Sequence, residues 1–220
     1  MSDNIFETPK RDFFDVLNTR KTIRKYTNKI PPIEAIKIIA DAGRQAPSAT
    51  NTQNWEFIAI YDDNLKNKMA HCVEKKYDEL QSRVNNDIDK AKLNGYKYYS
   101  MFFTKAPVVF AIVEKKRVST MLTILQNSGM TKEELSNYDN RSSILSIGAA
   151  VENMSLAATA LGLATCWMCA PLVAYQEFSE LLKIGKENKV VSLLTVGYPD
   201  GDNFSRPPKK TLDEVFRIVD

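Results

Sequence analysis

The sequence lacks the glycine motifs that bind phosphate through backbone amides. Its 220 residues include eight glycines, and these never occur as G-x-G or within G-x-x-x-x-G-K-[ST]. A Rossmann dinucleotide turn needs the first pattern and a P-loop needs the second. If this protein binds a phosphate group, side chains must therefore hold that group.

Histidine and cysteine are also scarce. The single histidine, His71, lies in a polar stretch with helical spacing, so a Ser-His-Asp or Cys-His hydrolase is not expected. Cys72, Cys166 and Cys169 are too few and odd in number for a disulfide scaffold, which favours a reducing compartment. The C-x-x-C pair ends a predicted strand, where we interpret Cys166 as a buried apolar residue and Cys169 as part of a turn, without a metal.

The chain carries no strong charge of one sign. Its 30 Lys and Arg against 27 Asp and Glu leave a net charge of +3, which does not favour a nucleic-acid ligand. The N-terminus has no basic region followed by an apolar stretch, so no signal peptide is expected. The uncharged segment 153–176 is long enough for a bilayer, but its small and hydroxylated residues favour a buried helix followed by a buried strand. We therefore predict a cytoplasmic protein with neither a membrane nor a nucleic-acid partner.

The order of apolar segments predicts a central sheet covered on both faces. Hydrophobic residues at 44% and charged residues at 26% are typical of a globular chain, and the length favours one domain, 1–220. Apolar runs predict buried strands at 55–61, 107–113, 163–168 and 190–196. Because helices separate these strands, the fold class is α/β or α+β.

Helical spacing predicts the elements between the strands. The expected helices are 12–18, 31–43, 142–161 and 176–182, two more within 64–103 divided at Asn94 and Gly95, and a short one at 131–138. In the first helix we expect Phe13, Phe14 and Leu17 to face inward. The tail 212–219 is predicted as either a strand or a helix.

A basic segment at 20–26, with the sequence R-K-T-I-R-K-Y, is a candidate anion site. An extended backbone would present Arg20, Thr22 and Arg24 on one side. This set of donors suits a phosphate monoester and nearby hydroxyl groups. Four cations in six residues are also typical of a solvated surface, and the pattern alone does not separate the two interpretations.

Two further segments carry polar groups in suggestive places. Arg206, Lys209 and Lys210 form a second basic cluster near the end of the chain, which would complete a phosphate site if the two ends meet. The loop 46–55, A-P-S-A-T-N-T-Q-N-W, is rich in amide and hydroxyl side chains that could bind a heteroaromatic ring. Ordinary loops between helix and strand share this composition.

Four segments, taken in order, resemble the FMN-dependent nitroreductase family. They are the basic segment 20–26, the loop 46–55, AATALGL at 157–163 and G-Y-P at 197–199, which a basic tail follows. The resemblance implies an α+β fold of three layers, with a central and mostly antiparallel sheet flanked by helices. It also implies an intertwined homodimer with two FMN molecules at the subunit interface.

The activity implied by the resemblance is a ping-pong oxidoreduction. FMN would take a hydride from NADH or NADPH at N5 and pass two electrons to a nitroaromatic, a quinone or a similar small acceptor. The protein would supply no catalytic acid or base. Two alternatives stay open: a flavin-holding protein that stores or senses FMN without turnover, and a flavin-consuming or dehalogenating relative on the same fold.

The resemblance also assigns cofactor contacts by position. The phosphate and ribityl contacts would be Arg20, Lys21, Thr22, Arg24, Arg206 and Lys209, with Arg24 reaching toward flavin N1 and O2. The loop residues packed against the isoalloxazine, often of the neighbouring subunit, would be Pro47, Ser48, Asn51 and Gln53. The backbone amides facing N5 and O4 would be those of Met168, Cys169 and Ala170.

The sequence departs from the family pattern at three points. Asn54 stands where the family usually has proline before tryptophan, and Lys21-Thr22 replaces the commoner Arg-Ser or His-Ser pair. The polar residue that reads the flavin pyrimidine edge has no clear match.

The nearby candidates for that edge are Tyr98, Tyr99 and Ser100. They lie in the region of about 85–140, which varies most in the family and shapes the substrate pocket. The resemblance therefore leaves the electron acceptor undetermined.

Overall fold

A four-stranded sheet forms the centre of the structure, a computed structural model that describes residues 12–137, 141–201 and 207–219. The strands are β1 (Trp55–Ile60), β2 (Val108–Glu114), β3 (Ala164–Met168) and β4 (Lys189–Gly197). Their order across the sheet is β1-β2-β4-β3, and every neighbouring pair is antiparallel. The side chains of the two central strands, β2 and β4, are almost all buried.

Helices cover both faces of this sheet. Because side chains alternate along a strand, Phe110 of β2 lies in one hydrophobic core and Ala111 lies in the other. The first core includes residues of α2 (Ile33–Arg44) and α7 (Ser142–Ala160). The second includes residues of α3 (Asp63–Arg83), α4 (Asp87–Met101) and α8 (Tyr175–Leu181). The remaining α-helices are α1 (Phe13–Thr19), α5 (Thr120–Asn127) and α6 (Lys132–Asn137). This arrangement confirms the predicted three-layer α+β fold.

Helix α7 ends in a Schellman motif that feeds the chain directly into β3. Gly162 has φ +72, and its amide donates to the Thr159 carbonyl at 3.0 Å. The Leu163 amide donates to the Ala158 carbonyl at 2.8 Å, which completes the motif. The uncharged segment is thus a helix followed by a strand, as predicted. Within the described residues, no helix is long and apolar enough to cross a membrane.

The predicted division of the long helical region is wrong in position. The interruption lies between Arg83 and Asp87, whereas Gly95 is inside α4 with open space around it. Asn86 begins α4 by accepting the Asp89 amide on its side chain at 2.8 Å. A good N-cap therefore outweighed the cost of about 1 kcal/mol that an exposed helical glycine carries.

One prediction of burial is also wrong. Phe13 and Phe14 are 61% and 68% exposed, because α1 buries only Val16 and turns its two phenylalanines away from the core. Strand β1 lies at the edge of the sheet, but its side chains reach both cores as predicted, with Phe57 packed on the first and Ile58 on the second. Helix α5 was not predicted, and none of its residues is buried.

The described part of the tail, 207–219, is exposed along its length. Its only regular element among these residues is a 3-10 turn, Leu212–Glu214, so neither a strand nor an α-helix forms there. Thr211 and Glu214 make a capping box that begins the turn. Leu212 and Phe216 remain 69% and 57% exposed, which leaves an apolar segment without cover from its own chain.

Candidate functional site

The basic segment 20–26 follows α1 and runs in extended form along the outer edge of β3. Thr22 forms a parallel bridge with Thr165 of β3. The Ile23 amide donates to the Thr165 carbonyl at 2.9 Å. Main-chain pairing with the sheet therefore fixes the extended conformation in which alternate side chains point the same way.

Tyr26 anchors the far end of this segment against the sheet. Its hydroxyl donates to the Ile23 carbonyl at 2.6 Å and lies 2.6 Å from Thr195 Oγ1. Burial raises the pKa of the Tyr26 phenol well above its usual range, so the group stays protonated. A Cβ atom on Gly197 would lie 2.8 Å from both the Tyr26 ring and Pro107, so only glycine allows this close approach.

The segments 20–24 and 207–209 meet in a cleft of about 370 Å³. Its lining residues are Arg20, Lys21, Thr22, Arg24, Pro207, Pro208 and Lys209. Lys209 of the second basic cluster thus lies beside the basic segment, and the described lining holds four cationic side chains and no carboxylate. Arg206 lies outside the described residues.

Arg20 is oriented by a carboxylate that sequence reasoning missed. Its Nε lies 3.1 Å from Oε1 of Glu152, and both side chains are partly exposed. Such a pair adds little to stability, but it restricts the guanidinium to one side of the cleft. The signal in the sequence was that Glu152 is the sole charged residue of α7.

The C-x-x-C pair contains no activated thiol. Burial raises the pKa of Cys166 above its usual value, and the nearby positive charge of Arg24 only partly opposes this effect. Partial desolvation also raises the pKa of Cys169. Both thiols are free and protonated at neutral pH, which agrees with the interpretation of Cys166 as a buried residue and Cys169 as part of a turn.

The turn after β3 lies along the same sheet edge as the basic segment. Met168 ends β3 and is buried, whereas Cys169 and Ala170 are exposed. Among the described residues, neither the Cys169 nor the Ala170 amide donates a hydrogen bond. Met168 is three residues along β3 from Thr165, which is a distance of about 10 Å. The turn and the basic cleft could therefore contact two parts of one elongated ligand.

The loop 47–53 is shaped by its own hydrogen bonds. The Gln53 amide donates to Ser48 Oγ at 3.0 Å, and Gln53 Nε2 donates to Asn51 Oδ1 at 3.1 Å. Pro47, Asn51 and Gln53 are exposed. None of the four predicted loop residues lines the basic cleft of the same chain. Their predicted contact with a flavin ring would thus have to involve another surface.

The structure narrows the candidates for the pyrimidine edge. Ser100 is fully buried, and its hydroxyl donates to the Tyr96 carbonyl at 2.6 Å and bonds to Tyr77 at 2.9 Å. It cannot reach a ligand, so this candidate was wrong. Tyr98 and Tyr99 are 70% and 59% exposed on α4.

Two other kinds of site find no support in the geometry. The His71 ring is exposed, and its Nδ1 lies 3.8 Å from a Glu74 carboxylate oxygen on the surface of α3. The described residues contain no cluster of three or more His, Cys, Asp or Glu side chains able to hold a metal ion.

Comparison with known proteins relates the chain to a family of flavoproteins. The sequence model described as the Nitroreductase family matches residues 17–198. A BluB-like flavoprotein from Clostridium difficile 630 is 27% identical, with a TM-score of 0.87 over 96% of this chain and all of the other. A nitroreductase with bound FMN from Bacteroides fragilis NCTC 9343 is 19% identical, with a TM-score of 0.70 over the same shares. The iodotyrosine deiodinase of Hydra vulgaris is 28% identical over 93% of this chain and 72% of that protein.

Proposed function

Because this chain belongs to the nitroreductase family, we propose that it is an FMN-dependent oxidoreductase. It would take reducing equivalents from NADH or NADPH and deliver them to a nitroaromatic, a quinone or a similar small acceptor. The structural relatives that are flavoproteins or hold FMN support the choice of cofactor. The meeting of Lys209 with the basic segment 20–26 in one cleft is the observation that carries the proposal.

The cleft suits the phosphate end of FMN. Arg20, Lys21, Arg24 and Lys209 supply charge, and the Thr22 hydroxyl adds a neutral donor beside them. Charge-assisted hydrogen bonds from such a set are the strong contacts of a phosphate site. Arg206, which neighbours Pro207 in sequence, is proposed as a further phosphate ligand.

The isoalloxazine ring of FMN would lie over the turn at 168–170. Exposed amides there would donate to flavin N5 and O4, and Arg24 would stabilise negative charge at the N1 and O2 edge. When bound, FMN would supply the redox chemistry by accepting a hydride and returning two electrons to the acceptor. The described site presents no activated thiol or histidine, so the protein would act through binding and electrostatics.

We propose a homodimer as the active assembly, with residues 1–220 as one domain in each subunit. The loop 47–53 would then pack against the flavin of the other subunit, as the family resemblance implies. The exposed Phe13, Phe14, Leu212 and Phe216 would be covered by the second copy. Three free cysteines fit a cytoplasmic location.

An absorbance spectrum of the purified protein tests the cofactor, and anaerobic titration with NADH and then NADPH tests the donor. We expect a yellow protein whose colour is bleached by NADH or NADPH. A nitroarene or quinone should then reoxidise the flavin and restore the colour. A flavin that resists both donors but is reduced by dithionite would indicate a storage or sensing protein. A colourless, folded protein that does not bind added FMN would refute the proposal.

Reductive dehalogenation is the second candidate function. The similarity to iodotyrosine deiodinases, which extends over 93% of this chain in the Hydra vulgaris protein, favours it. The test is to add 3-iodotyrosine to the reduced protein under anaerobic conditions. Release of iodide with reoxidation of the flavin would support this function, and reoxidation by quinone alone would support the first.

A further inference from the structure

Asn54 belongs to a partly buried polar network that the proposed chemistry does not use. The residue is 5% exposed, and its Nδ2 donates to Ser143 Oγ at 2.6 Å. The Ser143 hydroxyl in turn donates to a carboxylate oxygen of Glu114. The amide, the hydroxyl and the carboxylate thus form one directed chain of hydrogen bonds.

This network joins three elements at one place. Asn54 directly follows the 47–53 loop, Glu114 is the last residue of β2, and Ser143 lies in the first turn of α7. The backbone is tied here as well, because the Lys115 amide donates to the Asn54 carbonyl at 2.9 Å. The loop is therefore fixed where it joins the sheet.

The loop needs such ties because its backbone is strained. Thr50, Asn51 and Gln53 have φ values of +53, +53 and +45, although none of them is glycine. Residues other than glycine rarely adopt this left-handed backbone conformation, and they remain in it only when the surrounding structure holds them.

A second tie reaches the loop from the same helix. The Ala49 amide donates to Ser146 Oγ at 3.2 Å. Ser143 and Ser146 are three residues apart, so they lie on the same face of α7. Helix α7 therefore holds the loop both in its middle and at its end.

We infer that Asn54 is a positioning residue, which holds the 47–53 loop in its cofactor-binding shape through Ser143 and Glu114. This inference rests on the proposed function, because it assigns the loop to FMN. The family resemblance leads us to expect proline at this position, whose ring would restrict the loop directly. In this chain, hydrogen bonds of a buried side chain replace that restriction.

The test compares Asn54→Ala, Ser143→Ala, the double variant and Ser143→Thr. Ser155→Ala is the matched control, because Ser155 is a buried serine of α7 whose hydroxyl donates only to the Val151 carbonyl of the same helix. For each variant, the dissociation constant for FMN is measured by fluorescence, and amide hydrogen exchange of residues 48–53 is measured without flavin.

Each of the two alanine variants should raise the dissociation constant about tenfold and speed exchange in the loop. The double variant should bind FMN no more weakly than the weaker of the two single variants, because both substitutions remove the same hydrogen bond. Ser143→Thr keeps the hydroxyl and should rescue binding to within about twofold of the parent. Ser155→Ala should leave FMN binding and loop exchange unchanged.

Parent-like binding and exchange in Ser143→Ala would overturn the inference, and so would equal weakening in Ser155→Ala. A parent protein that does not bind FMN would instead refute the proposed function. Loop exchange would still decide the role of Asn54 in that case, because it is measured without flavin.

Discussion

The basic segment 20–26 and the loop 47–53 are both predicted to contact the cofactor, but they are held in different ways. The first pairs with β3 through its main chain and is anchored at Tyr26. The second lies outside the sheet, has three strained residues and depends on side chains of α7. Backbone pairing tolerates changes of side chain, whereas a loop held by single hydroxyl and amide groups does not. Substitutions in the two regions should therefore differ in what they disturb.

The largest effect is expected from breaking the anchor of the basic segment. Tyr26→Ala removes a ring that packs against Gly197 and should lower the free energy of unfolding by about 3 kcal/mol. Tyr26→Phe keeps the ring and should lower the free energy of unfolding by only about 1 kcal/mol, because it loses the hydrogen bonds of the hydroxyl. Chemical denaturation measures both. A Tyr26→Ala variant as stable as the parent would mean that main-chain pairing alone holds the segment.

Removing a cation from the cleft should weaken FMN binding with little effect on stability. Arg20→Ala and Lys209→Ala should each cost about 1.5 to 3 kcal/mol of binding free energy, or roughly tenfold to a hundredfold in affinity. Lys25→Ala and Lys210→Ala are matched controls, since these neighbours do not line the cleft. If the controls weaken binding as much as the test variants, general surface charge rather than the cleft attracts the ligand.

Relieving the strain in the loop should stabilise the protein slightly. Thr50→Gly removes a β-branched side chain from a φ of +53 and should raise the free energy of unfolding by about 0.5 to 1 kcal/mol. Gly129→Ala makes the opposite change at a φ of +85 and should lower the free energy of unfolding by about 1 kcal/mol. Thermal unfolding measures both. A destabilised Thr50→Gly variant would show that the Thr50 side chain, not its backbone, matters.

The smallest effect is expected at the turn that follows β3. Cys169→Ser should leave the FMN dissociation constant within about twofold of the parent, because the proposed contact is made by the backbone amide. Flavin fluorescence measures this constant. A loss of tenfold or more would assign a role to the thiol and would make this turn depend on side-chain identity, as the loop does.

The fold was predicted best from the sequence where buried elements leave a clear apolar pattern. The four strands were found as apolar runs, because a strand inside a three-layer fold needs apolar residues on both faces. The predicted end of the 142–161 helix was right to within one residue for a local reason, since the positive φ of the next residue, Gly162, favours glycine. The division of the long helical region was misplaced at Gly95, because a capping side chain at Asn86 is a weaker signal than a glycine.

Residue order alone determined the basic character of both chain ends, the polar loop and the family resemblance that joins them. The tertiary structure decided that the two ends share a cleft, that Glu152 orients Arg20, and that Ser100 is buried. It also decided that Asn54 ties the loop to α7 and β2. These facts depend on contacts between residues far apart in the chain, which local spacing does not encode, because only the packing of helices on the sheet sets which side chains meet.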